Sequence, residues 1–199
     1  MLGSRDEQSA TLVGRQMEVS LSLSREQREF MYYVLEDRTI STVAYGGARF
    51  GGKTFCNCLA AVLWCLRNPR MRVLMLRRVM QSTKANLGDE IDNIHTLLHI
   101  PKRAVRYNDS KSQYWYPNGS MIQLGYCRLD KDWEIYKGNQ YHAIFWEEAT
   151  QFWESQYNGL RGSCRSTTAG VRAKKVLTTN PDGIGVGWVR RRFIRPETR

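Results

Sequence analysis

A glycine-rich segment constrains the fold of this chain more strongly than any other feature. The pattern G-x-x-x-x-G-K-T begins at Gly47 and ends at Lys53-Thr54. An apolar, β-branched stretch runs into this pattern from Ile40, and a stretch compatible with a helix leaves it. Glycines allow a tight turn whose N–H groups point at phosphate oxygens, and the following helix adds its positive dipole end. The segment therefore predicts a phosphate-binding loop between a strand and a helix.

The residues of this loop predict ATP and Mg²⁺ as cofactors. Lys53 can reach the β- and γ-phosphates, and the Thr54 hydroxyl can ligate Mg²⁺. Arg49 is a fixed cation that either stabilises charge developing on the γ-phosphoryl group or remains an ordinary solvent-facing or carboxylate-paired side chain. The predicted nucleotide contacts within the loop are Gly47, Ala48, Arg49, Phe50, Gly51, Gly52, Lys53 and Thr54.

Two adjacent acids, Glu147 and Glu148, follow a short apolar strand predicted over residues 141–146. Adjacent side chains at a strand end point in different directions, so one glutamate can face a metal ion and the other the γ-phosphate. Two solvated acids are the alternative, and the loop upstream favours the catalytic interpretation. Glutamate replaces the commoner aspartate at the first position, and its extra methylene changes the reach to a metal.

Three further polar residues are candidates for contacts with the nucleotide. Gln27 completes a capping box with Ser24, so it either only caps its helix or also hydrogen-bonds an adenine edge. Thr178 and Asn180 stand at the end of another apolar strand, where polar side chains can sense the γ-phosphate. Ordinary turn chemistry before Pro181 explains these two equally well.

The charge of the chain favours a polyanionic partner. The net charge is +11 and the sequence pI is about 9.7, which favours nucleic acid first and an acidic membrane surface second. The segment over residues 161–170 is basic and rich in Ser, Thr and Gly, which is typical of an exposed loop. A further basic cluster is Arg190 to Arg192. The predicted DNA-binding residues are Arg161, Arg165, Arg172, Lys174 and Lys175.

The remaining pattern predicts one α/β domain over residues 21–199, preceded by a loosely packed arm over residues 1–20. A strand–turn–strand signal over residues 112–124, centred on Asn118-Gly119, predicts a β-hairpin. No apolar run is long enough to span a bilayer. The five cysteines form no C-x-x-C pair, which is typical of free thiols in a reducing cytosol. Further predicted elements are helices over 24–37, 54–66, 80–98 and 152–160 and strands over 71–76 and 175–178.

Together these motifs resemble the ATPase domain of the large terminase subunit, the motor that packages DNA into phage capsids. The resemblance covers most of the chain, and the arginine within the loop, the order of the motifs and the tail make it selective. It comprises residues 24–30, Gly46 to Thr54, Tyr136-Lys137-Gly138 before residues 142–149, Thr178 to Pro181, and the tail over residues 187–194.

The resemblance implies a P-loop NTPase of the additional-strand catalytic-glutamate (ASCE) type, with a mainly parallel sheet flanked by helices and a β-hairpin insertion. It assigns Gln27 to adenine, Arg49 to catalysis in cis, Glu147 to the metal and Glu148 to water activation. It assigns Thr178 and Asn180 to coupling. The implied partners are double-stranded DNA, a portal protein and a small terminase subunit, with a homo-oligomeric ring when assembled and a monomer when isolated.

The resemblance also sets the expected activity and place of action. We expect ATP hydrolysis coupled to translocation of duplex DNA, in the host cell cytoplasm, by a domain docked on the procapsid portal. The family's carboxyl-terminal nuclease domain has no counterpart before Arg199, so we expect no nuclease activity from these residues. A helicase-like or remodelling nucleic-acid-dependent ATPase is the alternative, and strand separation would distinguish it from a packaging motor.

Overall fold

The computed structural model describes residues 10–14, 17–47 and 51–195, with side chains described from residue 21 onward in these ranges. The strands are β1 (Ala10–Gly14), β2 (Met17–Leu21), β3 (Thr42–Gly46), β4 (Arg72–Arg77), β5 (Arg106–Asn108), β6 (Gln113–Trp115), β7 (Met121–Tyr126), β8 (Ala143–Trp146) and β9 (Lys174–Thr179). The α-helices are α1 (Arg25–Leu35), α2 (Lys53–Arg67), α3 (Met80–Ser82), α4 (Asp89–Leu97), α5 (Glu154–Leu160) and α6 (Val186–Val189).

A seven-stranded sheet with the order β3-β9-β8-β4-β7-β6-β5 organises the fold. The first five strands of this order are parallel, while β6 and β5 continue the sheet in antiparallel pairing. Strand β9 therefore lies between the strand that precedes the phosphate-binding loop and the strand that precedes Glu147. The predicted mainly parallel sheet and the β6–β7 hairpin are both confirmed.

The central strands are apolar on both faces because helices cover both sides of the sheet. Alternate residues of β4 divide between two cores: Val73 and Met75 face one, and Leu74 and Leu76 face the other. The first core contains buried residues of α1, α2 and α4, and the second contains those of α5 and α6. Because the five strands from β3 to β7 in this order are parallel, their carboxyl ends meet at one edge of the sheet.

Some predicted elements differ from the structure in detail. The helix predicted over residues 80–98 is interrupted by a π-helical turn, Thr83–Gly88, between α3 and α4. The Thr83 hydroxyl lies 2.8 Å from the Val79 carbonyl and 3.3 Å from that of Gly125, so it engages backbone oxygens where this turn begins. Strand β5 was not predicted. Within the predicted arm, β1 and β2 form a two-stranded antiparallel sheet, and residues 1–9 lie outside the described ranges.

The structure corrects the prediction that Lys174 is a DNA-binding residue. Its side chain is not exposed but buried, with 2% of its surface accessible. The ammonium donates hydrogen bonds to the carbonyl oxygens of Tyr33, Asp37 and Ile40, at 2.9, 2.6 and 2.5 Å. Because these carbonyls lie where α1 ends and the chain turns into β3, Lys174 joins that connection to β9 and is not available to a DNA phosphate.

The described residues contain no helix that is both long and apolar enough to cross a membrane. All five cysteines are buried free thiols, as predicted.

Replacing Lys174 with methionine tests its structural role. We expect Lys174→Met to lower the free energy of unfolding by about 3 kcal/mol, because three partly buried carbonyls lose a charged donor. Urea unfolding followed by circular dichroism measures the loss. The control is Lys175→Met on the neighbouring, half-buried lysine, which should change stability by less than about 0.5 kcal/mol. Equal losses in the two variants would contradict the role given to Lys174.

Candidate active site

The phosphate-binding loop connects β3 to α2, as predicted. Gly52 stands at the amino-terminal cap of α2 with φ of 66°, in the left-handed region that favours glycine. A Cβ atom there would also lie 2.5 Å from the side-chain amide nitrogen of Gln27, so a larger residue would displace that side chain. Lys53 begins the helix, and its ammonium donates to the Gly47 carbonyl oxygen at 3.2 Å. Ala48, Arg49 and Phe50 lie outside the described residues, so their predicted roles stay predictions.

Glu147 is a buried carboxylate held by donors from two neighbouring elements, with 2% of its surface accessible. The Thr54 hydroxyl donates to its Oε1 atom, and the Thr178 hydroxyl donates to Oε2 at 2.8 Å. The structure therefore brings together the residues predicted to hold the metal, and it joins them to a residue predicted for coupling.

Asn57 is a site residue that the sequence analysis missed. It is fully buried, and its amide nitrogen donates to Glu147 Oε2 and approaches the Thr178 hydroxyl at 3.3 Å. It lies one helical turn after Thr54, on the same face of α2. A single asparagine in the otherwise apolar run from Phe55 to Leu66 is the signal that could have identified it.

Glu148 occupies a different environment from its neighbour, as adjacent residues at a strand end are expected to do. Its backbone is left-handed, with φ and ψ both 56°, a conformation that costs a non-glycine residue free energy. Its Oε1 atom lies 3.0 Å from the Arg77 guanidinium and 3.5 Å from the Asn180 amide nitrogen. Arg77, at the end of β4, is a second residue that the sequence analysis did not single out.

Thr178 and Asn180 contact the two glutamates, which the alternative of ordinary turn chemistry before Pro181 would not require. The Thr178 hydroxyl contacts the Glu147 carboxylate and also lies 3.3 Å from the Glu148 backbone nitrogen. The Asn180 side chain reaches Glu148, and the Asn180 backbone carbonyl oxygen accepts a hydrogen bond from the Thr150 hydroxyl at 3.0 Å. The end of β9 therefore connects the two acids that end β8.

Gln27 caps its helix and also contacts the loop. Its side-chain oxygen accepts a hydrogen bond from the Ser24 N–H at 2.9 Å, which completes the predicted capping box. Its amide nitrogen donates to the Gly51 carbonyl oxygen at 3.4 Å. The capping function is confirmed, and the recognition of adenine stays a prediction.

The loop and the two acids line one open cleft of about 680 Å³. Lys53, Thr54, Glu147, Glu148 and Asn180 line it, together with Phe55 and Glu90. Burial raises the pKa of the Glu90 carboxyl. Burial also raises the pKa of the Cys58 thiol, and the negative charges of Glu147 and Glu90 raise it further. This cysteine therefore stays protonated.

The oxygen ligands of this cleft fit Mg²⁺. The Thr54 hydroxyl and a Glu147 carboxylate oxygen, which belong to residues that line the cleft, are in contact. Among these residues no group of three or more His, Cys, Asp or Glu side chains could hold a metal ion. Mg²⁺ does not need such a cage, because it typically binds one or two carboxylates together with substrate phosphates.

The predicted DNA-binding residues lie away from this cleft. Arg161, Arg165 and Arg172 are exposed, and Lys175 is partly buried at the start of β9. That start is the opposite end of the strand from Thr178. In the tail cluster, Arg191 and Arg192 form ion pairs with Glu154 at 3.2 and 2.8 Å.

The sheet order and the paired acids define a P-loop NTPase fold of the ASCE type, which confirms the predicted fold class. The family described as "Phage terminase large subunit" matches residues 38–199. The chain belongs to this family. No curated protein sequence matches the chain.

Solved structures show the same fold. The large terminase of the thermophilic bacteriophage D6E matches with a TM-score of 0.65 and 16% identity, over 87% of this chain and 44% of that one. The HK97 bacteriophage large terminase matches with a TM-score of 0.64 and 11% identity, over 85% and 36%. The Thermus phage P74-26 large terminase ATPase domain matches with a TM-score of 0.54 and 12% identity, over 77% and 64%. This chain thus spans less than half the length of the D6E and HK97 proteins.

Removing the Asn57 amide tests the arrangement around Glu147. We expect Asn57→Ala to lower the free energy of unfolding by about 1–3 kcal/mol, because the buried carboxylate loses one of its donors. Thermal and urea unfolding measure the change. The control is Asn93→Ala at an exposed position of α4, where we expect the free energy of unfolding to change by less than about 0.5 kcal/mol. An Asn57 variant as stable as this control would show that the amide does not support Glu147.

Proposed function

We propose that this chain is an ATP-hydrolysing motor domain that moves double-stranded DNA into a viral procapsid. The observation that carries the proposal is the contact between the loop hydroxyl of Thr54 and the buried carboxylate of Glu147. It joins a phosphate-binding loop to an acid in one cleft, which a nucleotide-binding loop alone would not require. D6E large terminase, which shares the fold, has been solved with ADP and with ATP-gamma-S.

Nucleotide binding is assigned to the loop and the start of α2. Lys53 contacts the β- and γ-phosphates, and the loop backbone and the amino terminus of α2 provide N–H donors. Thr54 and Glu147 would hold Mg²⁺, and the bound ion would neutralise charge on the phosphates. Gln27, which already contacts the loop at Gly51, hydrogen-bonds the adenine edge.

Water activation is assigned to Glu148. Its Oε1 atom is engaged by Arg77 and Asn180, while Oε2 has no hydrogen bond among the described residues. That oxygen is free to accept a proton from the attacking water, and the two contacts on Oε1 fix the orientation of the carboxylate. Arg49 acts in cis on the charge that develops on the γ-phosphoryl group.

Coupling is assigned to the end of β9. Thr178 touches the side chain of Glu147 and the backbone of Glu148, and Asn180 touches the side chain of Glu148. A change at the γ-phosphate that moves either glutamate therefore reaches β9 directly. The proposed partners are double-stranded DNA, a portal protein, a small terminase subunit and further copies of the chain in a ring. The proposed place of action is the host cell cytoplasm, on the procapsid portal.

The two glutamates should respond differently to the same isosteric change. Glu148→Gln keeps the shape but removes the base, so we expect tight binding of ATP with Mg²⁺ and a loss of turnover on the order of 10² or more. Glu147→Gln should weaken the hold on the metal, and some activity should return at high Mg²⁺. ATP affinity and turnover measured across a Mg²⁺ titration distinguish them. Rescue of Glu148→Gln by Mg²⁺, with none for Glu147→Gln, would reverse the assignment.

Two loop residues should separate binding from chemistry. Lys53→Ala should abolish tight ATP binding, because it removes the positive charge that contacts the β- and γ-phosphates. Arg49→Ala should keep ATP binding and lower turnover on the order of 10² or more, because the Arg49 guanidinium acts only in the transition state. Fluorescent nucleotide titration and steady-state hydrolysis measure the two effects. A folded Lys53→Ala protein with unchanged affinity would remove the loop from the site, and wild-type turnover in Arg49→Ala would leave Arg49 without a catalytic role.

A further inference from the structure

The edge of the sheet opposite the nucleotide cleft has its own chemical character. Because β3, β4, β8 and β9 are parallel, the loops that precede them meet at the edge where these strands begin. ATP-binding residues belong to the other edge, where the strands end. The loops at the starting edge are rich in arginine.

Five exposed arginines form a surface that we name the basic face. Four of them come from the loops before β3, β4 and β9, which are far apart in sequence, and the fifth, Arg72, is the first residue of β4. Their members are Arg38, Arg70, Arg72, Arg165 and Arg172.

Contacts between the loops show that they lie side by side at this edge of the sheet. A Cβ atom on Gly170 would lie 3.4 Å from the Arg38 guanidinium, so the loop before β9 packs beside the loop before β3. The His142 ring accepts a hydrogen bond from the Arg72 backbone nitrogen at 3.1 Å and lies 3.3 Å from the Thr168 hydroxyl. It thus links the start of β4 to the loop before β9.

The basic face contains cations without matching acids. Residues 67–72 and 161–175 include no Asp or Glu. In the loop before β3, Glu36 is paired with Arg67, and a carboxylate oxygen of Asp37 lies 4.0 Å from the buried Lys174 ammonium. Both acids are therefore already engaged with cations outside the basic face.

The electrostatic effect of this crowding is visible in neighbouring groups. Burial lowers the pKa of His142, and the Arg72 charge lowers it further. Burial likewise lowers the pKa of Lys174, and Arg172 adds to that effect against the opposing charge of Asp37. A polyanion bound at the basic face would relieve this repulsion.

We propose that the basic face binds the phosphate backbone of duplex DNA, at the end of the domain opposite the ATP cleft. This inference rests on the proposed function for its choice of polyanion. All five side chains are arginine, whose planar guanidinium binds phosphate oxygens in a bidentate manner better than lysine does. The binding is independent of base sequence, because such contacts involve only the backbone. It is separate from nucleotide binding, because no residue of the basic face lines the cleft.

The test compares two triple variants that lose the same charge. Arg70, Arg72 and Arg165 are changed to glutamine on the basic face, and Lys111, Arg128 and Lys131 are changed to glutamine elsewhere on the exposed surface. Fluorescence anisotropy measures binding of a labelled duplex of about 30 base pairs to the full chain at several salt concentrations. ATP affinity and circular dichroism are recorded for every protein.

We expect the basic-face variant to bind duplex at least about 10-fold more weakly at low salt than the surface control. Its plot of log affinity against log salt should be less steep by about 2–3, since each lost phosphate contact removes about 0.9 from the slope. A third variant with lysine at the same three positions keeps the charge and should restore most of the binding. ATP affinity should be unchanged in all three.

Three results would overturn the inference. The basic-face variant could bind DNA as well as the surface control does, or the wild-type chain could fail to bind duplex at low salt. Poly-glutamate could also compete as well as unlabelled duplex of equal charge, which would point to an acidic protein partner instead. ATP hydrolysis by the wild-type chain is measured in parallel, because its absence would contradict the proposed motor function without affecting the anisotropy result.

Discussion

The burial of the Glu147 carboxylate is the constraint on which the rest of the site depends. A buried carboxylate is costly unless donors satisfy its oxygens, and here Thr54 and Asn57 on α2 and Thr178 on β9 do so. These donors come from the helix after the loop and from the strand inserted between β3 and β8. The sheet order allows Glu147 to contact both α2 and β9. These hydrogen bonds connect the helix after the loop, the acid and β9.

The two ends of the parallel strands differ in the chemistry of their side chains. At the ending edge, glycine backbone, hydroxyls and acids surround a cleft. At the starting edge, several arginines are exposed, whereas the Lys174 ammonium is buried and is satisfied by carbonyl oxygens and not by solvent. Charge in the sequence predicts that all basic residues of a loop are exposed. Lys174 is buried instead, because it is the first residue of β9 and its ammonium binds three carbonyl oxygens.

Local patterns predicted much of the fold and the core of the site. The Ser24 capping box, the Asn118-Gly119 hairpin, the loop and the acid pair each depend on neighbours in sequence, so short-range pattern is sufficient to find them. Asn57 and Arg77 were missed because their partners, Glu147 and Glu148, are distant from them in sequence and come close only in the folded chain. The π-helical turn after α3 was missed for a similar reason, since Thr83 contacts a carbonyl of β7 that is distant in sequence.

The central claim is that Thr54 and Glu147 form the metal-binding half of an ATP site. Anomalous diffraction from crystals grown with Mn²⁺ and a non-hydrolysable ATP analogue tests it directly, because Mn²⁺ shares the oxygen-ligand preference of Mg²⁺. The account predicts one anomalous peak beside the Thr54 hydroxyl and on the Glu147 side of the cleft, with the Thr54–Glu147 hydrogen bond replaced. A peak bound to Glu148 instead, or nucleotide bound with that hydrogen bond intact and no metal peak, would contradict it.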